Sequence, residues 1–301
     1  MSRPTSILSL VTFFALLAVL VPAANAWGKN GHGTVGELAV AMLPPAAQAK
    51  INAIVAFAGS NSLYTNVFDA ANFPDLNRTA GGSTFSSHFI NFDDAPTEGK
   101  CSGSGANMTI PADCNGDKSC ITTALGKFTQ QLATSAPESM TAAFSLALVM
   151  HFAGDISQPL HATGFKLGAN QVNVTFAGAQ TNLHSTWDTA LVDKAIAASS
   201  DGTRDGWKRD VANKASPTSA GTRCISRADP KNAAAITNCA VQWATDSELL
   251  VCREVFGSAF SATADLSDAY AAREVPVVNK QIAKASLRLA SILCKIFGGE
   301  K

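Results

Sequence analysis

The sequence predicts an all-α fold, a mainly helical single domain with one small β-hairpin. Apolar residues recur at helical spacing in several segments, whereas alternating, strand-like runs are scarce. After the N-terminal segment, the sequence contains no tandem repeat, charge block or linker long enough to separate independent domains. We therefore expect one domain over residues 27–301.

The first 26 residues have the features of a cleaved signal peptide. Arg3 precedes an apolar run over residues 7–21, and Ala24-Asn25-Ala26 follows in the small-x-small pattern that signal peptidase cuts. The alternative interpretation, a transmembrane helix, is disfavoured because the run is short and lacks a stop-transfer pattern. We therefore predict cleavage between Ala26 and Trp27 and a secreted protein without a membrane anchor.

Three segments predict the main core helices. The first has one apolar face, formed by Ile121, Leu125, Phe128 and Leu132. The second, Met140 to Asp155, is apolar on all sides, as expected for a helix buried at the centre of the domain. The third lies near the C-terminus and has an apolar stripe of Ile282, Ala285, Leu289, Ile292 and Ile296.

Between these helices, the best strand signal is Val172 to Phe176. Ala177-Gly178 follows it and predicts a small hairpin that leads toward His184. Two stretches rich in Gly, Ser, Asp and Pro, residues 77–87 and 91–117, predict surface loops.

Charge and cysteine content limit the possible functions. Lys plus Arg and Asp plus Glu number 23 each, which argues against a broad basic face for duplex DNA. A nucleic-acid enzyme that binds one or two phosphates through metals remains compatible with this charge balance.

Seven cysteines in a secreted chain predict disulfides with one cysteine left over. Sequons at Asn77, Asn107 and Asn173 predict glycosylation sites.

The histidines carry the main functional signal. The chain has only five, and two of them form i, i+4 pairs with acidic residues, His151 with Asp155 and His184 with Asp188. An isolated histidine is more often a surface residue or a hydrogen-bonded core residue than a metal ligand. However, a carboxylate at the end of a buried helix needs a nearby cation. A ligand set of imidazole and carboxylate groups, with no cysteine in these motifs, favours zinc over an iron-sulfur or structural thiolate site.

The predicted N-terminus adds a further ligand. Cleavage after Ala26 would expose an α-amine on Trp27, five residues before His32. The α-amine and carbonyl of one residue can chelate a single metal ion. The alternative interpretation is that signal peptidase simply tolerates tryptophan after the cleavage point.

Taken together, these residues resemble the zinc-dependent single-strand-specific nucleases with 3′-nucleotidase activity, which fungi and plants secrete. The resemblance covers nearly the whole mature chain and is specific in the order and spacing of its motifs. The motifs are Trp27-Gly28-x-x-Gly31-His32, Ser87-His88-Phe89-Ile90, His151-Phe152-x-Gly154-Asp155-x-x-Gln158-Pro159-Leu160-His161, Asn182-Leu183-His184-x-x-Trp187-Asp188, Trp243-Ala244-x-x-Ser247 and Gln281-Ile282-Ala283-Lys284-Ala285.

The resemblance implies a phospholipase C/nuclease-like helical fold that holds three zinc ions per chain. Asp155 would bridge two of these ions. The implied ligand sets are Asp75, His88, His151 and Asp155 for the first ion, His161, His184 and Asp188 for the second, and the amine and carbonyl of Trp27 with His32 and Asp155 for the third.

Substrate contacts are implied in the same way. Arg78 matches a phosphate-clamping arginine, Phe89 matches an aromatic on which the nucleobase stacks, and Asn91 stands where several relatives have a base-reading aspartate. A core phenylalanine beside a ligand is an equally weighted interpretation of Phe89. Two further departures are Phe73-Pro74 in place of a Trp-Ala pair before Asp75, and Ala169 in place of the second glycine of a Gly-Gly-Asn loop.

The implied activity is hydrolysis of single-stranded DNA, RNA and 3′-nucleotides. We expect the protein to be a monomer. Asp75 would orient the attacking water, and the second zinc site would stabilise the departing 3′ oxygen, so that products carry 5′-phosphates. The nearest alternative is a zinc-dependent phospholipase C, whose last metal group typically ends in glutamate rather than in a residue such as Asp188. A non-catalytic secreted binding protein would be expected to lose ligands, and none of the implied ligands is missing here.

Positional resemblance also suggests disulfides Cys101–Cys252 and Cys114–Cys120. Proximity along the chain suggests Cys224–Cys239. Cys294 would then be unpaired, and we expect it to be a buried, inert thiol in the C-terminal amphipathic helix.

Overall fold

The computed structural model describes residues 27–77, 85–92, 114, 119–215 and 221–298. The all-α prediction is confirmed, since within these ranges helices dominate and the strands form one two-stranded sheet. The predicted signal peptide lies outside the described residues, as do Arg78, Cys101 and Asn107. The helices are α1 (Gly28–Ala41), α2 (Pro45–Ser60), α3 (Val67–Leu76), α4 (Ile121–Thr134), α5 (Met140–Asp155), α6 (Leu183–Ser185), α7 (Leu191–Ala197), α8 (Arg204–Lys214), α9 (Arg223–Arg227), α10 (Ala233–Leu250) and α11 (Ala269–Phe297).

Helix α5 lies at the centre of the domain, with the bounds predicted from its apolar sequence. It packs against α1, α2, α3, α4 and α11. Because neighbours surround it, almost every one of its side chains is buried, which explains why it has no polar face. The Ser139 hydroxyl caps its N-terminus by accepting a hydrogen bond from the Ala142 N–H at 3.1 Å. Its C-terminus therefore delivers His151 and Asp155 into the interior.

The two predicted amphipathic helices are α4 and α11. The apolar stripe of α4 is buried or half-buried, and α4 packs against both α5 and α10. In α11, the face that carries Ile282, Leu289 and Ile292 is fully buried. The helix begins well before this stripe and contains Pro276, so the periodic segment identified only its C-terminal half.

The hairpin consists of β1 (Asn173–Phe176) and β2 (Ala179–Asn182), paired antiparallel. Ala177 and Gly178 form its two-residue turn with φ of 51° and 77°, the left-handed region that such turns require. The Asp265 carboxylate holds this turn by accepting hydrogen bonds from both of their N–H groups, at 2.9 and 2.7 Å. Strand β2 leads directly into the segment that carries His184.

Two disulfides are present among the described residues, Cys114–Cys120 and Cys224–Cys239. Cys252 is also disulfide-bonded, and its suggested partner Cys101 lies outside the described residues. The expectation of a buried Cys294 is wrong, because this free thiol is exposed. Cys294 lies two residues beyond buried Ile292, about 200° around the helix, and therefore faces solvent.

Two of the three predicted glycosylation sites lie within the described residues. Asn77 and Asn173 are exposed, and their glycosylation stays a prediction. In the part of the chain that the structure describes, no helix is both long enough and apolar enough to cross a membrane.

Candidate metal centre

All five histidines are buried, and each lies in contact with an acidic side chain or with another histidine. They come from distant parts of the chain. His32 is in α1, His151 is in α5, and His184 is in α6. His88 and His161 each end a short 3₁₀ turn, Phe85–His88 and Pro159–His161.

Asp155 is the hub of the first cluster. It is fully buried, and its Oδ1 lies 3.1 Å from His32 Nε2. Its Oδ2 lies 3.0 Å from His88 Nδ1 and 3.3 Å from His151 Nε2. One carboxylate therefore faces three imidazoles that belong to three separate elements.

Asp75 brings a second carboxylate to the same cluster. Its Oδ1 lies 3.5 Å from His151 Nε2 and 3.8 Å from His88 Nδ1. Asp75 occupies the last turn of α3, directly after Pro74, which the helix accommodates. The Phe73-Pro74 departure therefore leaves the Asp75 carboxylate beside both histidines.

The second cluster consists of His161, His184 and Asp188. The two Nε2 atoms lie 3.2 Å apart, and Asp188 Oδ2 lies 3.1 Å from His184 Nε2. The i, i+4 spacing predicted that both side chains share one face of an α-helix. Instead, a π-helical turn over Thr186–Ala190 carries Asp188. Such wide turns occur frequently at functional sites, where they redirect a side chain.

Backbone carbonyls fix the tautomers of three imidazoles. His151 Nδ1 lies 2.8 Å from the Ala71 carbonyl, His161 Nδ1 lies 2.7 Å from the His88 carbonyl, and His184 Nδ1 lies 2.5 Å from the Gly168 carbonyl. Because a carbonyl only accepts, Nδ1 must carry the proton in each ring. In the neutral rings, each Nε2 then directs a lone pair into its cluster, which is the arrangement of a metal ligand.

Several carboxylate and imidazole atoms that face the clusters are buried without a hydrogen-bond partner in the described structure. These include His32 Nε2, both oxygens of Asp155 and Asp188 Oδ2. Each lies within 3.3 Å of an atom of a neighbouring imidazole or carboxylate. Buried polar atoms left in this way are costly unless a cation satisfies them.

The described residues thus contain three groups that could hold metal ions. They are His32 with His151 and Asp155, Asp75 with His88 and His151, and His161 with His184 and Asp188. The sequence predicted Trp27, rather than His151, beside His32. The structure shows that the His32 and His151 rings stack, with centroids 3.9 Å apart. His151 therefore belongs to both of the first two groups.

The pKa values of several cluster side chains are shifted, because charged and ionisable groups lie close together in the buried interior. Burial favours the neutral form of Asp155, but His151, His32 and His88 outweigh it and hold the pKa of this carboxyl well below its usual range. Burial also opposes protonation of His151, yet Asp155 and Asp75 together raise its pKa to about 9. Burial lowers the pKa of His161. In the first cluster, the two carboxylates thus favour a positive charge beside them, from a proton or from a cation.

Trp27 lies beside this cluster. Its side chain is fully buried, and its indole N–H donates to the Gly154 carbonyl at 3.0 Å, one residue before Asp155. Gly154 itself allows α1 to approach α5, because a Cβ at this position would lie 2.7 Å from His32 Nδ1. The Trp27 side chain is thus anchored to the residue that precedes Asp155.

The segment that carries Phe89 and Asn91 lies along the second cluster. The Ile90 N–H donates to the His161 carbonyl at 2.9 Å, and the Gly164 N–H donates to the Phe92 carbonyl at 3.0 Å. Phe89 and Asn91 are both half-buried. Phe89 is therefore not a fully enclosed core residue.

A left-handed turn supports His184. Lys166, Leu167, Gly168 and Ala169 all have positive φ, between 45° and 63°, and the Ala169 N–H donates to the Phe165 carbonyl at 2.8 Å. This turn directs the Gly168 carbonyl at His184 Nδ1. Ala169, which stands where the family has glycine, therefore adopts a conformation that costs an L-residue about 1–2 kcal/mol.

We expect Gly168→Ala to destabilise the protein more than Gly178→Ala. Both positions have positive φ, so each change costs about 1–2 kcal/mol. A Cβ on Gly168 would also lie 2.7 Å from the Leu160 carbonyl oxygen, whereas one on Gly178 would meet nothing within 4 Å. Overpacking of this kind costs about 1–3 kcal/mol more. Urea unfolding of the metal-free variants measures the difference, and equal losses would contradict a tight approach at Gly168.

Some features of the centre could not be read from single motifs. In the sequence, Gln158 is only one residue of a longer motif, and the Ala71 and Gly168 carbonyls have no sequence signal at all. Arg78 lies outside the described residues. The other implied ligand side chains lie in the two clusters, and the Trp27 indole contacts the residue that precedes Asp155.

Known proteins resemble this chain over most of its length. The model of the S1/P1 Nuclease family matches residues 27–298. Nuclease P1 of Penicillium citrinum is 31% identical over 278 residues, which cover 91% of this chain and 99% of that protein. Nuclease S1 of Aspergillus oryzae is 28% identical over 94% of this chain and 96% of its own length. Endonuclease 5 of Arabidopsis thaliana is 27% identical over 95% of each chain.

Proposed function

Because this chain belongs to the S1/P1 nuclease family, we propose that it is a zinc-dependent endonuclease and 3′-nucleotidase. Its substrates are single-stranded DNA, RNA and 3′-nucleotides, and its products carry 5′-phosphates. The protein is a secreted monomer, released by cleavage between Ala26 and Trp27.

The observation that carries this proposal is the convergence of buried imidazoles on Asp155. Three histidines from separate elements lie within 3.3 Å of its two oxygens, and the protonated side of His151 faces away, toward the Ala71 carbonyl. A ligand set made only of nitrogen and oxygen atoms suits zinc. In the proposal, the two clusters and the Trp27 main chain hold three zinc ions, with Trp27, His32, Asp75, His88, His151, Asp155, His161, His184 and Asp188 as the ligands.

When bound, zinc supplies an activated water near neutral pH and neutralises phosphoryl charge during an in-line displacement. The chain's own residues orient the reactants. His151 holds the pKa of Asp75 below its usual range despite the opposing effect of burial, so Asp75 is an ionised acceptor that can orient a water. In the proposal, the group of His161, His184 and Asp188 would stabilise the departing 3′ oxygen.

Substrate recognition is assigned to residues around the clusters. Half-buried Phe89 offers a surface on which an unpaired base can stack, which favours single strands over duplexes. Asn91 lies two residues further along the same segment and can contact a base edge through its amide. Arg78, three residues after Asp75, clamps the phosphate.

Metal removal tests the proposal. Excess EDTA is expected to abolish hydrolysis of single-stranded DNA, because the clusters lose the charge that stabilises the transition state, and added Zn²⁺ should restore it. Metal analysis of the processed protein should find about three zinc ions per chain. Activity that persists in excess EDTA would contradict the proposal.

Substrate choice separates the proposal from a zinc-dependent phospholipase C. The purified protein is assayed in parallel on single-stranded DNA, a 3′-nucleotide and phosphatidylcholine emulsions. Hydrolysis of the first two is expected, and cleavage of the lipid without nucleolysis would overturn the assignment.

A further inference from the structure

Gln158 occupies the buried turn between the two clusters. It follows α5, is fully buried, and precedes the 3₁₀ turn Pro159–His161. Its side-chain Oε1 accepts from the Leu160 N–H at 2.5 Å, and its Nε2 donates to Asp188 Oδ1 at 2.7 Å. The Leu160 N–H can only donate, so Oε1 must face it and Nε2 must face Asp188. The backbone therefore fixes the orientation of the amide.

This contact also fixes the orientation of Asp188. With Oδ1 bound to the amide of Gln158, Asp188 Oδ2 is directed to His184 Nε2, 3.1 Å away. The same glutamine caps the turn that ends in His161. A single side chain thus links two members of the second cluster.

We infer that Gln158 is a positioning residue for the zinc ion proposed at His161, His184 and Asp188. Hydrogen bonds to the main-chain carbonyls of His88 and Gly168 orient His161 and His184, and no side-chain substitution removes these carbonyls. For Asp188, the partner is the Gln158 side chain. Outer-shell partners of this kind typically change metal affinity about 10- to 100-fold when they are removed. This inference rests on the proposed metal centre.

The test measures zinc affinity of the full processed chain by competition with a chromogenic chelator. Gln158→Met removes both amide contacts at similar length and is expected to weaken one zinc ion about 10- to 100-fold while the other ions stay bound. Gln158→Glu retains an acceptor for the Leu160 N–H but has no donor for Asp188 at pH 8. It should therefore also weaken one ion.

Gln281→Met is the matched control. Gln281 is a second buried glutamine, and its Nε2 donates to the Ser157 carbonyl at 2.6 Å rather than to a ligand carboxylate. Its replacement should leave the affinity of every zinc ion unchanged. Circular dichroism of the metal-free variants checks that each one folds.

A kinetic measurement adds a readout that a purely structural defect would not move. In Gln158→Met, kcat on single-stranded DNA should fall at low zinc and recover in excess Zn²⁺. Native zinc affinity in both Gln158 variants would overturn the inference. Weaker zinc binding in Gln158→Met together with native affinity in Gln158→Glu would also overturn it, because the effect would then come from the Leu160 contact in the turn alone. A native protein that binds no zinc at this cluster would instead overturn the proposed function.

Discussion

Asp155→Asn is expected to lower nuclease activity by at least about 10³-fold, with loss of two of the three proposed zinc ions. Removal of one preorganised electrostatic contact typically costs about 10²–10³-fold in kcat. In the proposed centre, Asp155 is a ligand of two zinc ions, because its oxygens lie within 3.3 Å of His32, His88 and His151. An amide has only one acceptor oxygen and carries no charge, so it cannot replace both contacts.

The measurement is steady-state hydrolysis of single-stranded DNA together with metal content. Asp193→Asn, which removes an exposed carboxylate from α7, is the matched control and should retain both activity and zinc. A full zinc complement in Asp155→Asn would contradict the bridging role of this residue.

A single alanine added before Trp27 is expected to remove one zinc ion and to lower activity about 10²–10³-fold. The extra residue converts the α-amine of Trp27 into an amide, which is no longer a metal ligand. The structure makes this position sensitive, since the buried Trp27 side chain is anchored to the Gly154 carbonyl beside Asp155. The main chain therefore cannot move away without losing that contact.

The comparison is with the same alanine added after Lys301. That protein should retain full activity and all three ions, because its N-terminal amine is unchanged. Full activity and native metal content in the N-terminally extended protein would show that Trp27 does not bind the third ion. N-terminal sequencing of both proteins verifies where each chain begins.

The elements with strong local patterns were predictable from the sequence. The sequence predicts helix α5 over Met140–Asp155, because a segment that is apolar on all sides must be surrounded. Five neighbouring helices do surround it. The hairpin was predicted one residue too early, at Val172 rather than Asn173. Helix α11 was only half predicted, because its N-terminal half lacks a continuous apolar stripe.

The candidate site was predictable where its residues are close in the chain. The His151 and Asp155 spacing is a property of one helix, and the family resemblance supplied the partners from other segments. The π-helical turn that carries Asp188 was not predictable, since i, i+4 spacing reads the same in either helix type. The prediction of a buried Cys294 was wrong, because Cys294 lies about 200° around α11 from the buried Ile292.

The sequence by itself determined the helical class, the central buried helix and the kinds of side chains available to bind metal, because these depend on local periodicity and composition. Only the tertiary structure decided that His32 stacks on His151, that main-chain carbonyls orient three imidazoles, and that Gln158 holds Asp188. These contacts join segments far apart in the chain. Their geometry follows from how the helices pack, which no single segment encodes.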